Sequence, residues 1–304
     1  LKEVRINRMH SCYPARTDDR RSASRRDKSL GRKRSVRNEN LIITQQKIKT
    51  MENKNKTLFI AFSSQKGGVG KSTFTAIVSS ILHYRMGFNV AVFDCDYPQH
   101  SLSQMRERDL TAVMQNQVFK KLAHKQFHAI NKKAYPVLQC RADEALAQAE
   151  AFLKSTPVPV DIVFFDLPGT VNTSGILHTL IGMNFIFSPI TADRVVIEST
   201  LSFTDVLTHI LMKKGATSIS GIRLFWNQVD GREKSPLYAW YEKVIADLGL
   251  HLMKTQITDT KRFRKESEAE SRTLFRSTLL PPDQQLMKSC NLDQFIEEFM
   301  QTIK

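Results

Sequence analysis

Short, unbroken apolar runs alternate along most of this chain with stretches in which apolar residues recur every three or four positions. The first run, 57–62, has no polar alternation and predicts a strand buried on both faces. After it Phe74, Ile77, Val78, Ile81 and Leu82 recur at helical spacing, and Gly87 stands where that helix ends. The alternation continues with a strand over 89–94, a polar helical stretch over 102–127, a short strand over 135–140 and a helix over 145–153. Next come a clear buried strand over 158–166, an apolar run over 184–190, and a helix from Val195 to about Met212. A strand over 221–226, a helix from Leu237 to Leu248 and a strand from Leu252 to Ile257 follow. In the last segment Leu292, Phe295, Ile296, Phe299 and Ile303 share one helical face. Strands alternating with helices over 51–304 predict an α/β fold. It is one doubly wound domain with a mostly parallel sheet and helices on both faces.

Composition divides the chain unevenly. Its net charge of +15 belongs mostly to residues 1–50, which hold fifteen Lys/Arg against five Asp/Glu and so carry +10, leaving +5 for the rest. That basic segment, rich in Ser and Arg, cannot bury enough apolar surface to offset the cost of ordering, and disorder is expected. It lacks the apolar stretch of a secretory signal. Met51 stands just ahead of the first strand. Residues 1–50 are therefore read either as upstream, non-native sequence or as a nucleic-acid-binding arm. No apolar run approaches the ~20 residues of a membrane span. The terminal helix carries Asp293, Glu297 and Glu298 on its polar side, whereas helices that lie on membranes are rich in Lys/Arg there. It is expected to pack on the domain. Four cysteines (Cys12, Cys95, Cys140, Cys290) show neither CxxC nor metal-ligand spacing and read as reduced thiols, in a cytoplasmic setting.

The chemistry concentrates at strand ends. Gln65-Lys66-Gly67-Gly68-Val69-Gly70-Lys71-Ser72-Thr73 lies between the first strand and the first helix. Glycines there let backbone N–H groups turn onto a phosphate, and the helix start adds its dipole. In this pattern Lys71 reaches the β- and γ-phosphates and the Ser72 hydroxyl ligates Mg²⁺. Asp94 and Asp96 end the second strand and Asp166 ends the fourth. Carboxylates at strand ends beside a phosphate loop fall in the ligand crevice of an open α/β sheet.

The stretch Lys66-Gly67-Gly68-Val69-Gly70-Lys71-Ser72 resembles the deviant Walker A of the ParA/MinD/Soj ATPases, in particular the ParA-type proteins carried by conjugative transposons. The resemblance covers essentially all of 57–304. It implies that Lys66 acts across a dimer interface on the partner's nucleotide, and that residues 67–73 hold ATP. Asp94-Cys95-Asp96-Tyr97-Pro98-Gln99 resembles the family's D-x-D-P-Q motif with Tyr97 inserted. By that resemblance Asp96 orients the attacking water and Asp94 supports the Mg²⁺ shell, the two roles being open to exchange. The strand ending on Asp166 resembles Walker B and implies a magnesium carboxylate, with 168–170 as a switch segment beside the γ-phosphate. Asn227 resembles the family's adenine-contacting residue. Asn227-Gln228-Val229-Asp230 also looks like a variant of the N-K-x-D guanine reader, but the family resemblance favours ATP.

The resemblance thus implies a cytoplasmic, nucleoid-associated ATPase that dimerises on ATP and binds DNA without reading sequence. Hydrolysis is slow until a ParB-like or other partner stimulates it, in DNA partition or in the maintenance or transfer of a mobile element. The basic residues Lys261, Arg262, Arg264, Lys265, Arg272 and Arg276 are candidate phosphate contacts on DNA. Surface charges at Arg106, Arg108, Lys120, Lys121 and Lys125 are expected to be exposed, on a solvated face. A positioning or regulatory ATPase of the MinD type and a metabolic phosphate-loop enzyme are the alternatives.

Overall fold

Six parallel strands form one sheet in the order β3-β2-β4-β1-β5-β6. They are β1 (Leu58–Phe62), β2 (Val90–Asp94), β3 (Val137–Gln139), β4 (Ile162–Asp166), β5 (Phe185–Ile190) and β6 (Gly221–Trp226). The structure is a computed structural model that describes residues 56–169, 174–208, 217–232, 236–260 and 276–304. The basic segment 1–50 and the run 261–265 lie outside the described residues, as do Thr170 and Arg272. From β1 the chain crosses β4 to reach β2; from β4 it crosses β1 to reach β5 on the other side. The loop after the central β1 therefore opens where chain direction reverses, between the carboxyl ends of its neighbours.

The helices are α1 (Lys71–Tyr84), α2 (Ser101–Gln115), α3 (Gln117–Ile130), α4 (Ala145–Ser155), α5 (Ser174–Ile181) and α6 (Arg194–Asp205). They continue with α7 (Pro236–Asp247), α8 (Gln284–Ser289) and α9 (Leu292–Thr302). Alternate strand residues face opposite layers, and both layers are apolar. On one side Ala61, Phe93, Phe165 and Ile186 meet Ala145 and Ala149 of α4, Ile176 and Leu180 of α5, and Phe203 of α6. On the other, the rings of Phe62, Phe187 and Phe225 pack against Phe74 of α1 and Phe295 and Phe299 of α9. A fully buried Phe contributes about 1.5–3 kcal/mol, so the terminal helix is part of the core. The packing expected of its apolar face is what is found.

Three sequence expectations change. The polar helical stretch is two helices, because the Asn116 side chain accepts from the N–H groups of Val118 and Phe119 and starts a new helix there. The stretch expected as a strand from Leu252 to Ile257 makes one isolated bridge to β6, Leu224 to Leu252; a second bridge, Val229 to Thr258, lies just beyond both. Arg106 is half-buried rather than exposed: its guanidinium donates to the Thr278 hydroxyl at 2.8 Å and sits 4.9 Å from the centre of the Tyr135 ring. Helices α5 and α8 were not anticipated; α6 is described over Arg194–Asp205, and its expected end near Met212 lies outside the described residues. Among the described residues no helix is long and apolar enough to cross a membrane.

Candidate functional site

The loop between β1 and α1 is shaped by its glycines. Gly68 and Gly70 adopt φ of 76° and 99°, which residues with a Cβ rarely tolerate. Gly70 is the residue at the α1 N-cap, and no side chain caps the helix start. The first-turn N–H groups are therefore available to an anion, with the helix dipole behind them.

Lys71, the first residue of α1, is buried, and its ammonium donates to the Lys66 carbonyl at 3.0 Å. Burial lowers its pKa, while Asp166 and Asp96 pull the other way. Gly169 faces it across the cleft: a Cβ there would stand 3.1 Å from Lys71 Nζ and 3.3 Å from the Gly67 nitrogen. The glycine thus lets the β4 loop close onto the phosphate loop, a constraint that the sequence reading did not single out.

The three aspartates occupy different environments. Asp166 is fully buried, and neither of its carboxylate oxygens has a hydrogen-bond partner. Burial pushes its carboxyl up to about 7; the Ser72 hydroxyl, close by without a well-aligned hydrogen bond, opposes this, as does Lys71, while Asp94 and Asp96 add to it. Asp94 pairs with Asp166 across the β2–β4 register and is also fully buried. Its Oδ2 accepts from the Ser103 N–H of α2 at 2.8 Å. Asp96 lies one step further out, half-buried, accepting from the Ser101 hydroxyl at 3.3 Å.

These groups surround a cavity of about 560 Å³ lined by Gly67, Gly68, Gly70, Lys71, Ser72, Thr73 and Asp96, together with Gly169 and Arg276. Asp94, Asp166 and Lys66 are not among its lining residues; Asp166 lies buried beneath it. A second cavity of about 430 Å³ shares Gly68, Gly70 and Thr73 and extends past Asn227 and Gln228 to Thr258, Asp259 and Thr260. Asn227 is buried, and its amide Nδ2 donates to the Val69 carbonyl at 2.9 Å, so it braces the phosphate loop from the β6 end. Gln228 does the same at Gly68, at 3.2 Å. Arg276, a candidate DNA contact from the sequence, lines both cavities.

The arrangement fits a nucleotide with a magnesium ion. Two unpartnered, fully desolvated oxygens on Asp166 beside the Ser72 hydroxyl need a cation to compensate them. Magnesium keeps most of its waters and takes few protein ligands. Among the described residues no group of three or more His, Cys, Asp or Glu side chains is placed to hold a metal ion. The described cysteines are free and buried; Cys95 and Cys140 lie 3.3 Å apart, sulfur to sulfur, behind the aspartates.

The chain matches the model of the CobQ/CobB/MinD/ParA nucleotide-binding domain over residues 60–274. No curated protein sequence matches it. Among solved structures it resembles a putative plasmid partition protein of Borrelia burgdorferi B31 bound to AMPPNP, at 16% identity and a TM-score of 0.53, over 81% of this chain and 99% of that one. McdA of Cyanothece without nucleotide is similar at 17% identity and 0.53, over 82% and 100%. A ParA family ATPase of Chlorobium tepidum TLS gives 15% and 0.50, over 80% and 98%. At these identities the likeness establishes the fold.

Proposed function

Because the chain belongs to the CobQ/CobB/MinD/ParA nucleotide-binding family, whose ParA and MinD members are ATPases, we propose that it is an ATP-driven dimerisation switch. In this reading the ATP-bound dimer holds DNA without regard to sequence, and slow hydrolysis, quickened by a ParB-like partner, releases it. Its setting is the nucleoid, in partition or in the upkeep or transfer of a mobile element.

The loop N–H groups of 67–73 and the Lys71 ammonium would hold the phosphates, and Ser72 and Asp166 the magnesium. ATP supplies the phosphoryl group and magnesium neutralises its charge. Asp96, which lines the cleft, would orient the attacking water. Asp94 would support the shell from behind by fixing the start of α2.

The observation that supports the switch is the division of labour between the two lysines. Lys71 lies inside the cleft, held by the Lys66 carbonyl, whereas Lys66 is half-buried and does not line the cleft of its own protomer. A second protomer gives that cation a phosphate to meet, as an arginine finger does.

Sedimentation with and without ATP and duplex DNA tests this on a chain starting at Met51, which removes the basic segment's own attraction for DNA. Expected are an ATP-dependent dimer, and DNA binding that weakens steeply with salt and does not depend on sequence. Lys71→Ala loses ATP binding, and Lys66→Ala binds ATP but stays monomeric. A wild-type protein that stays monomeric with ATP, or whose ATP form ignores DNA, would replace this reading with that of a regulatory ATPase.

A further inference from the structure

Four residues line both cavities: Gly68, Gly70, Thr73 and Arg276. The first three belong to the phosphate loop and its helix; the fourth comes from the far end of the chain and is the charged one. It stands where the phosphate cleft passes into the cavity beside Asn227.

The backbone that carries Arg276 is fixed from several directions. Asp109 of α2, fully buried, accepts from the Ser277 hydroxyl at 3.0 Å, the Thr278 N–H at 2.6 Å and the Thr278 hydroxyl at 3.0 Å. Its other oxygen takes the Arg108 guanidinium at 2.7 Å, and Arg108 also donates to the Arg276 carbonyl. The Tyr84 hydroxyl donates to the Thr278 carbonyl at 2.8 Å, and the Ser277 hydroxyl accepts from the N–H groups of Leu279 and Leu280. A buried carboxylate with four donors is a costly anchor unless every one is made. Its position fixes the strap 277–280 to the helix whose first turn is held by Asp94 and Asp96.

We propose that Arg276 is a nucleotide-contacting residue whose guanidinium engages the phosphate nearest the nucleoside of a bound nucleoside di- or triphosphate. A planar, permanently charged fork suits phosphate oxygens, and the strap fixes the backbone that carries it. Lys71, deeper in the cleft, is left to the outer phosphates. The inference rests on the nucleotide reading given above.

The test is competition binding of ATP, ADP, AMP and adenosine to the full chain, for wild type, Arg276→Ala and Arg276→Lys, with thermal melts to confirm folding. A wild type that binds no ATP defeats the nucleotide reading itself, before any variant is compared. Given binding, Arg276→Ala weakens ATP, ADP and AMP together by roughly tenfold to a hundredfold, the range of a charge-assisted hydrogen bond, and leaves adenosine unchanged. Arg276→Lys recovers part of the loss, because it keeps the charge without the fork. Unchanged ADP affinity in Arg276→Ala overturns the proposal. So does an equal loss for adenosine, which would make the side chain a wall for the nucleoside, or a loss confined to ATP, which would place it on the terminal phosphate.

Discussion

Asp94 and Asp166 occupy paired positions on neighbouring parallel strands, yet of the two only the Asp94 carboxylate accepts a hydrogen bond from the described residues. Its Oδ2 takes the Ser103 N–H at 2.8 Å, so this carboxylate anchors α2. Both oxygens of Asp166 are bare and fully buried. Asp96, two residues beyond Asp94, is half-buried and lines the cleft. Three acids that look alike in the sequence therefore have three different opportunities.

Asp94 and Asp96 separate experimentally. Asp96→Ala should bind ATP as wild type does and slow hydrolysis at least tenfold, since an oriented general base or water-positioning group contributes about 10²–10⁴. Asp94→Ala should lower stability by about 1–3 kcal/mol, because the Ser103 N–H loses its acceptor inside the protein. Urea melts and single-turnover hydrolysis read the two effects. Wild-type hydrolysis by Asp96→Ala would hand the water-positioning role to Asp94.

Asp166 should make the protein's stability depend on pH when nucleotide and divalent cations are absent. Burial raises its carboxyl from 3.8 to about 7. Between those values the folded protein keeps a proton that the unfolded chain has released, so stability falls as pH rises through the window and stays low above it. At 1.36 kcal/mol per pH unit the effect is at most about 4 kcal/mol. Asp166→Asn removes it. Melts in chelator from pH 5 to pH 8 should show wild type losing stability relative to Asp166→Asn. Parallel profiles would mean that the Asp166 carboxyl is not raised.

The strands and the phosphate loop were legible because their signals are local. A strand buried on both faces needs a nearly unbroken apolar run; β1, β2 and β4 have one up to their ends, and Ser188 in β5 and Arg223 in β6 are single interruptions. A glycine-rich turn onto a helix start can be read in a few residues. What was not legible depends on distant partners. Asp109 looks like one more surface charge until Ser277 and Thr278, 168 and 169 residues away, close on it. Arg106 looks solvent-facing for the same reason: only the distant Thr278 draws its guanidinium inward. The segment from Leu252 has apolar residues enough for a strand, but forms two isolated bridges, at Leu252 and Thr258, without a continuous ladder. The break at Asn116 did have a local signal, an asparagine suited to an N-cap, masked by polar residues of good helix propensity around it.

The terminal helix gives the last prediction, because its amphipathic pattern alone admits two uses. Phe299 is fully buried, with its ring 4.5 Å from that of Phe187 and 6.3 Å from that of Phe62. On the polar side, Glu298 accepts from the N–H groups of Lys254 and Thr255 at 2.7 and 2.9 Å, tying the helix to the segment beside β6. Both faces are thus engaged by the protein's own residues, which leaves no apolar stripe for a lipid surface. Phe299→Ala should cost about 3–5 kcal/mol, the usual range for emptying an aromatic site in a core. Glu298→Ala should cost about 1–3 kcal/mol by stranding two backbone donors, less where water reaches them. Urea melts of the two variants measure this directly, and sedimentation with anionic vesicles should show no ATP-dependent retention of wild type. A Phe299→Ala variant that melts with wild type while losing retention on such vesicles would move the helix from the core to the membrane.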